Sequence, residues 1–189
     1  MSKIAVFASG SGSNAQQLME RFSAPHRHNV SLVVCDNPCA GVIARAQRAN
    51  VPTYLCHRSA LASNELAETL RAHGVDYIVL AGFLGLIPPE LIAKYPGAIV
   101  NLHPALLPKY GGKGMYGHHV HEAVIAASEI QSGITIHHVN AQYDEGSIIA
   151  QFTCPVHPDD SPEALAERIH ALEHQHLGEV VEQLIDGAI

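Results

Sequence analysis

Short runs rich in Val, Ile and Leu recur along the chain at Ile4–Ala8, Val30–Cys35, Thr53–Cys56, Val75–Ala81, Ala98–Leu102, Ile134–Val139 and Ser147–Phe152. Each is too short for a helix and is bounded by turn-forming residues, so each predicts a strand. Helix signals lie between the early strands. Ser13 followed by Gln16 reads as a capping box, Asn37-Pro38 as a cap before a helix-opening proline, and Ser63 as the cap of a segment that Gly74 ends. Strands separated by helices pair in parallel through right-handed crossovers. The pattern therefore predicts an α/β protein, a doubly wound, mostly parallel Rossmann-like sheet flanked by helices, in one domain over residues 1–189. Ligands of such a sheet bind at the strand carboxyl ends.

After residue 130 two strands follow each other directly, joined by Asn140–Gly146. Ser161-Pro162-Glu163 then opens a long helix to about Ile185, with Leu165, Ile169, Leu172, Val180, Leu184 and Ile185 as its apolar stripe. Tyr110–Gly117 holds four glycines in eight residues and predicts a mobile loop.

At 47% hydrophobic and 15% charged residues, the chain can bury a sizeable core. Eleven Lys and Arg against 18 Asp and Glu give a net charge of −7, the wrong sign for a protein that neutralises a phosphate backbone. That excludes nucleic acid as a partner above neutral pH; the 14 histidines would erode the negative charge on acidification. The first apolar run, Ile4–Ala8, is far too short for a secretory signal or a membrane span, and a cytoplasmic protein without a membrane partner is expected. Cys35, Cys39, Cys56 and Cys154 show no CxxC pairing and read as buried free thiols.

Two places carry chemistry. The first strand runs into Ser9-Gly10-Ser11-Gly12-Ser13-Asn14-Ala15, where glycines admit a close ligand and unpaired amides at a helix start, with several hydroxyls, suit a phosphate. The same loop satisfies G-x-G-x-x-A, and Asp36 ends the next strand, where a dinucleotide-binding protein keeps its ribose-binding acid. A nicotinamide-binding protein and a phosphate-ligand sensor thus both compete. The second place is Ile99-Val100-Asn101-Leu102-His103-Pro104, an apolar strand ending in two polar residues two apart, which point to one face. An amide donor beside an imidazole can polarise a carbonyl and move a proton. Asp144, between the last two strands, is the candidate to raise the pKa of His103.

The string Asn101-Leu102-His103-Pro104-Ala105-Leu106-Leu107-Pro108-Lys109-Tyr110, the loop Gly10–Asn14, the stretch Leu80-Ala81-Gly82-Phe83 and Asp144-Glu145-Gly146 together resemble the phosphoribosylglycinamide formyltransferases, a family of folate-dependent formyltransferases. The resemblance spans nearly the whole chain in the expected order. It implies a cytoplasmic purine-biosynthesis enzyme of the formyltransferase-type fold, a monomer or homodimer. Such an enzyme carries a formyl group from 10-formyltetrahydrofolate to the amine of glycinamide ribonucleotide, and needs no metal. By resemblance, residues 1–100 form the phosphate- and ribonucleotide-binding half and 101–189 the catalytic and folate-binding half. Asn101 would donate to the oxyanion of a tetrahedral intermediate, His103 would be its protonated partner, and Asp144 would keep His103 charged and help carry a proton. Gly12, Ser13 and Asn14 would cradle the ribose phosphate, and Glu173 would meet the glycinamide. Leu84, Gly85, Leu86 and Ile87, with Asn140, Ala141, Gln142, Tyr143, Asp144 and Asn101, would line the folate pocket.

The chain departs from the family pattern at Leu84-Gly85-Leu86 and at Asn64, where relatives commonly carry arginines toward the folate, and the stretch Gly111–Gly117 is longer than usual. Lys109 and Lys113 are candidate replacements as anion contacts. Formyltetrahydrofolate hydrolysis is the nearest alternative chemistry; the missing amino-terminal regulatory domain weighs against it. The histidines at 118, 119 and 121, at 137 and 138, and at 170 and 174 are dense enough to suggest zinc or nickel, but no third ligand with supporting groups is evident. The family pattern instead places His119 and His121 at the cleft edge and His137 on the strand leading to Asp144, where they tune local charge.

Overall fold

The computed structural model describes residues 1–189. Its strands are β1 (Lys3–Phe7), β2 (Asn29–Cys35), β3 (Thr53–Leu55), β4 (Tyr77–Leu80), β5 (Ile99–His103), β6 (Gln131–His138) and β7 (Ile148–Pro155). The helices are α1 (Ser13–Arg21), α2 (Gly41–Arg48), α3 (Asn64–Ala72), α4 (Pro89–Lys94), α5 (His118–Ala126) and α6 (Pro162–Ile185). All seven strands join one sheet in the order β3-β2-β1-β4-β5-β6-β7. β1 pairs in parallel with β2 and β4, and β2 with β3, whereas β6 and β7 are antiparallel. The doubly wound, mostly parallel sheet predicted from the strand pattern is the one observed. No helix is long and apolar enough to cross a membrane.

The chain divides into two compact units, Met1–Val100 and Asn101–Ile189. In the first, β1 is buried on both faces, with Ile4, Ala5, Val6 and Phe7 at zero exposure, which is why its sequence is an unbroken apolar run. Ser63 caps α3 by accepting from the Leu66 N–H, and Gly74, at φ +66°, follows its end as predicted. The other two cap readings are corrected. Gly12, not Ser13, is the N-cap of α1, and Ser13 is already helical. Asn37 accepts from the Cys39 N–H to form a local turn, and α2 starts only at Gly41 with Ala40 as its cap.

In the second unit β6 and β7 form a hairpin ladder with an irregularity between Ile136 and His137. Ser161 caps α6 by accepting from the Ala164 N–H. The buried stripe of α6 is Leu165, Ile169, Glu173, Leu177, Val180 and Val181, so a carboxylate takes a place that pattern alone would give to an apolar residue. Three cysteines are buried, but Cys39 is exposed, because its turn lies outside the sheet.

Candidate active site

The second unit builds its polar centre at the end of β5. Residues two apart on a strand face one way, and here Asn101 and His103 do so beneath the hairpin turn that carries Asp144. The Asn101 Nδ2 group donates to Asp144 Oδ1 at 3.2 Å and stands 3.0 Å from His137 Nε2. Across 2.8 Å the His137 Nδ1 faces the His138 carbonyl, which can only accept. Nδ1 therefore carries a proton, and Nε2, 3.5 Å from Asp144 Oδ1, stands between the Asn101 amide and the acid.

His103 is 3% exposed. Its Nε2 donates to the Tyr110 carbonyl at 2.7 Å, and its Nδ1 lies 3.5 Å from Asp144 Oδ2. The same Oδ2 accepts from the Gly112 N–H at 2.9 Å, tying the glycine-rich loop to the acid. Asp144 holds φ +58°, a left-handed conformation that Asp and Asn adopt more readily than other side chains. Two residues on, Gly146 passes so close to the opposite leg of the hairpin that a Cβ there would sit 1.6 Å from the His138 oxygen.

The electrostatics correct one expectation. Burial is the largest influence on His103 and pushes its pKa below the ordinary imidazole range; Asp144 and the Tyr110 carbonyl pull the other way without overcoming it, and His137 adds to the lowering. The resting imidazole is therefore held toward neutrality, not charged by Asp144. Burial alone would raise the Asp144 carboxyl, but the His137 ring, the charge of His103 and the Gly112 N–H outweigh it and leave the acid below the usual carboxylate range. His137 contacts both Asn101 and Asp144, a closer involvement than general charge tuning.

The segment that follows His103 is fixed from below. Thr135, fully buried on β6, donates through Oγ1 to the Ala105 carbonyl at 2.6 Å and accepts from the Leu107 N–H at 3.0 Å and from Gln151 Nε2 at 2.9 Å.

In the first unit the loop after β1 is braced by α2. The Val42 N–H donates to the Gly10 carbonyl at 3.2 Å, and Arg45 Nε donates to the Ser11 carbonyl at 2.8 Å. Gly12 sits at φ +77°, and a Cβ there would lie 2.5 Å from Val42 Cβ, so no larger residue fits. No side chain caps α1, whose first turn opens with Ser13 and Asn14, and the positive end of a helix favours an anion.

Other expected residues fall as follows. Glu173 is buried on α6 at 5% exposure. Among the expected folate contacts, Asn140, Ala141, Gln142 and Tyr143 form an exposed turn in the second unit, while Leu84, Gly85, Leu86 and Ile87 belong to the first. Ile87 belongs to the core at 1% exposure. Lys109 is not free for an anion: Nζ donates to Glu129 Oε1 at 2.8 Å, which Tyr110 Oη also reaches at 2.9 Å. Asp36 is not free for a ribose either, because Oδ2 pairs with Arg58 Nε. His118 and His119 are exposed and pair with Glu122, whereas His121 is buried and pushed down to about 4, first by burial and then by the charges of His170, His118 and His103. The His170 and His174 rings stack at 6.5 Å, and no group of three His, Cys, Asp or Glu is arranged to hold a metal ion.

Fold and site together define a doubly wound α/β enzyme equipped to polarise a carbonyl group. Residues 2–181 match the family model described as formyl transferase. The chain is 41% identical over 194 residues to a chloroplastic phosphoribosylglycinamide formyltransferase of Arabidopsis thaliana, covering 99% of this chain and 66% of that protein. It is 37% identical over 191 residues to the phosphoribosylglycinamide formyltransferase of Bacillus subtilis, covering 98% and 95%. It therefore spans about two thirds of the plant relative but nearly all of the bacterial one. The crystal structure of glycinamide ribonucleotide transformylase 1 from Geobacillus kaustophilus matches with a TM-score of 0.87 at 38% identity, over 97% of this chain and 98% of that one. The chain belongs to the formyl transferase family, among its phosphoribosylglycinamide formyltransferases.

Proposed function

We propose that the chain transfers a formyl group from 10-formyltetrahydrofolate to the amine of glycinamide ribonucleotide in purine synthesis. The observation that carries this reading is the convergence of the Asn101 amide, the His103 imidazole and the Asp144 carboxylate, with N–O separations of 3.2 and 3.5 Å, at the end of β5. Gly12, Ser13 and Asn14 take the ribose phosphate, and the buried Glu173 receives the glycinamide. The second unit supplies the transfer chemistry. Residues 140–144 of the second unit meet the donor's pterin, mainly through main-chain groups.

Attack of the free amine on the formyl carbon forms the new C–N bond and places negative charge on the formyl oxygen. Asn101 meets that oxygen by exchanging its longer bond, the 3.2 Å one to Asp144, for the oxyanion. Burial keeps His103 near neutrality at rest, while an anion forming beside it, together with ionised Asp144, favours the imidazolium. Charge on His103 thus belongs to the transition state, where it accelerates the reaction instead of merely tightening binding. Asp144, held ionised, relays the proton of the attacking amine to His103 Nδ1, 3.5 Å from its Oδ2, so that the ring is charged while the oxyanion lasts; the same proton leaves for the folate nitrogen as the old C–N bond breaks.

The test is spectrophotometric consumption of 10-formyltetrahydrofolate with and without glycinamide ribonucleotide, with Asn101→Ala as the control. Turnover that requires the ribonucleotide and disappears in the variant supports transfer. Equal consumption without it means hydrolysis, and no consumption in either case refutes both.

A further inference from the structure

The stretch from Lys109 to Gly112, in the second unit, touches both groups of the proposed proton path. The Tyr110 carbonyl accepts from His103 Nε2 at 2.7 Å, and the Gly112 N–H donates to Asp144 Oδ2 at 2.9 Å. This backbone is held in place and does not merely pass by. Tyr110 stands at φ +56°, a left-handed conformation that is strained for a bulky side chain and persists only where its surroundings impose it. Next to it, Gly111 runs so close that a Cβ there would lie 2.5 Å from Leu107 Cδ2 and 3.2 Å from Asp144 Cβ.

An anchor for the strained residue comes from Glu129, on the connection between α5 and β6. Its Oε1 accepts from Lys109 Nζ at 2.8 Å and from Tyr110 Oη at 2.9 Å, so one oxygen grips two consecutive residues. The Lys109 bond, then the Tyr110 bond, hold the carboxyl below the usual carboxylate range, and it is ionised at neutral pH.

The Tyr110 carbonyl in turn decides which nitrogen of His103 carries the proton. A carbonyl only accepts, so Nε2 is the protonated nitrogen of the neutral ring, and Nδ1 is left bare 3.5 Å from Asp144 Oδ2. Nδ1 is where the relayed proton must arrive. If the carbonyl moved away, a buried Nε2–H would lose its acceptor, and the tautomer with Nδ1–H donating to Asp144 would be favoured. A neutral ring in that form cannot take the proton from Asp144.

We infer that Glu129 is a positioning residue for formyl transfer: by anchoring Lys109 and Tyr110 it keeps the Tyr110 carbonyl on His103 Nε2 and Nδ1 free to receive the proton. The inference rests on the formyl-transfer reading given above. Asp144, His137 and His121 are the other titratable groups that act on the His103 ring, and substitution of Glu129 leaves all three in place.

The experiment reads the His103 tautomer by nitrogen NMR of protein isotopically labelled in its histidines, the signal being assigned by its loss in His103→Gln, beside kcat and KM for both substrates. The wild type should show the Nε2–H form. Glu129→Ala should shift the ring toward Nδ1–H and lower kcat by about tenfold, the worth of one well-placed hydrogen bond, with little change in either KM. Glu129→Gln keeps an oxygen that can accept from both donors, and should retain the wild-type tautomer and most of kcat. A through-space effect of the lost charge would treat Gln and Ala alike. Tyr110→Phe, which keeps the ring but not the hydroxyl, should shift the tautomer in the same direction, and should add less to Glu129→Ala than it does to the wild type. A tautomer or a kcat unchanged in Glu129→Ala, or equal losses in the Gln and Ala variants, overturns the inference. The tautomer is read without turnover, so absence of transfer with a tautomer that depends on Glu129 refutes the activity alone, whereas a tautomer independent of Glu129 refutes the positioning.

Discussion

Asp144→Asn isolates the charge at the centre of the proposed mechanism while keeping the shape of the side chain, and Asn tolerates the φ of +58° at this position. In the wild type, Oδ1 accepts from Asn101, Oδ2 accepts from Gly112, and His103 Nδ1 lies 3.5 Å away. An amide can satisfy only one of the two donors, so either the Asn101 or the Gly112 N–H faces another donor. The ion pair with a charged His103 would be worth at most about 5 kcal/mol at an effective dielectric near 20, and the hydrogen-bonded charge about 1.5–3 kcal/mol net. Taking about 2–4 kcal/mol lost in the transition state, kcat should fall by roughly 30- to 1000-fold. Because the resting His103 is held toward neutrality, little of this loss should appear in KM for either substrate. Initial rates of folate product release, with each substrate varied in turn at several pH values, measure the split. A kcat within threefold of wild type, or a loss confined to KM, would refute the role given to Asp144.

Three further outcomes follow from the packing. Thr135→Val leaves the Leu107 N–H and the Ala105 carbonyl buried and unpaired, and should cost about 2–4 kcal/mol in urea unfolding; a loss below about 1 kcal/mol contradicts the bracing role. Gly12→Ala combines a left-handed φ with a collision against Val42, and should cost about 2–5 kcal/mol while raising KM for the ribonucleotide; an unchanged melting temperature and KM would remove the loop from phosphate binding. His121 has a folded pKa near 4 against an ordinary imidazole value of 6.5, so only the unfolded chain binds its proton between these values. Its contribution is complete above about pH 6.5 and declines toward pH 4, by up to about 3 kcal/mol. Thermal unfolding across that window should show the decline, and His121→Phe should flatten it.

The strand sequence was legible because buried strands of a parallel sheet need unbroken apolar runs. Ser63 and Ser161 were legible as caps because each stands immediately before its helix with an N–H to accept. Ser13 and Asn37 failed for local reasons. A left-handed Gly12 took the cap position of α1, and Asn37 spent its side chain on a turn well before α2. In the site, Asn101 and His103 could be paired from their period of two. Asp144 could be named as a candidate from its place between the last two strands, but its approach to Asn101 and His103 shows only in three dimensions. His137 could not be told from His138 as the inward member, because the irregularity at Ile136–His137 resets the alternation. The direction of the His103 shift was also hidden: sequence reveals a neighbouring carboxylate but not how deeply the ring is buried. Asp36 matched a nucleotide-binding pattern, and only the position of Arg58 shows that its charge is already committed.

The left-handed backbone at residue 144 also restricts which mutational routes are open to the enzyme. Glu keeps the charge and is the ordinary exchange for Asp, but it lacks the short side chain that eases this conformation. Asn and Gly fit the backbone and carry no charge. A lineage that loses Asp144 therefore has no single-step neighbour that preserves both geometry and acidity, and reversion is its direct way back. The turn thus narrows the choice to Asp, Asn and Gly, and the chemistry of the carboxylate selects Asp among them.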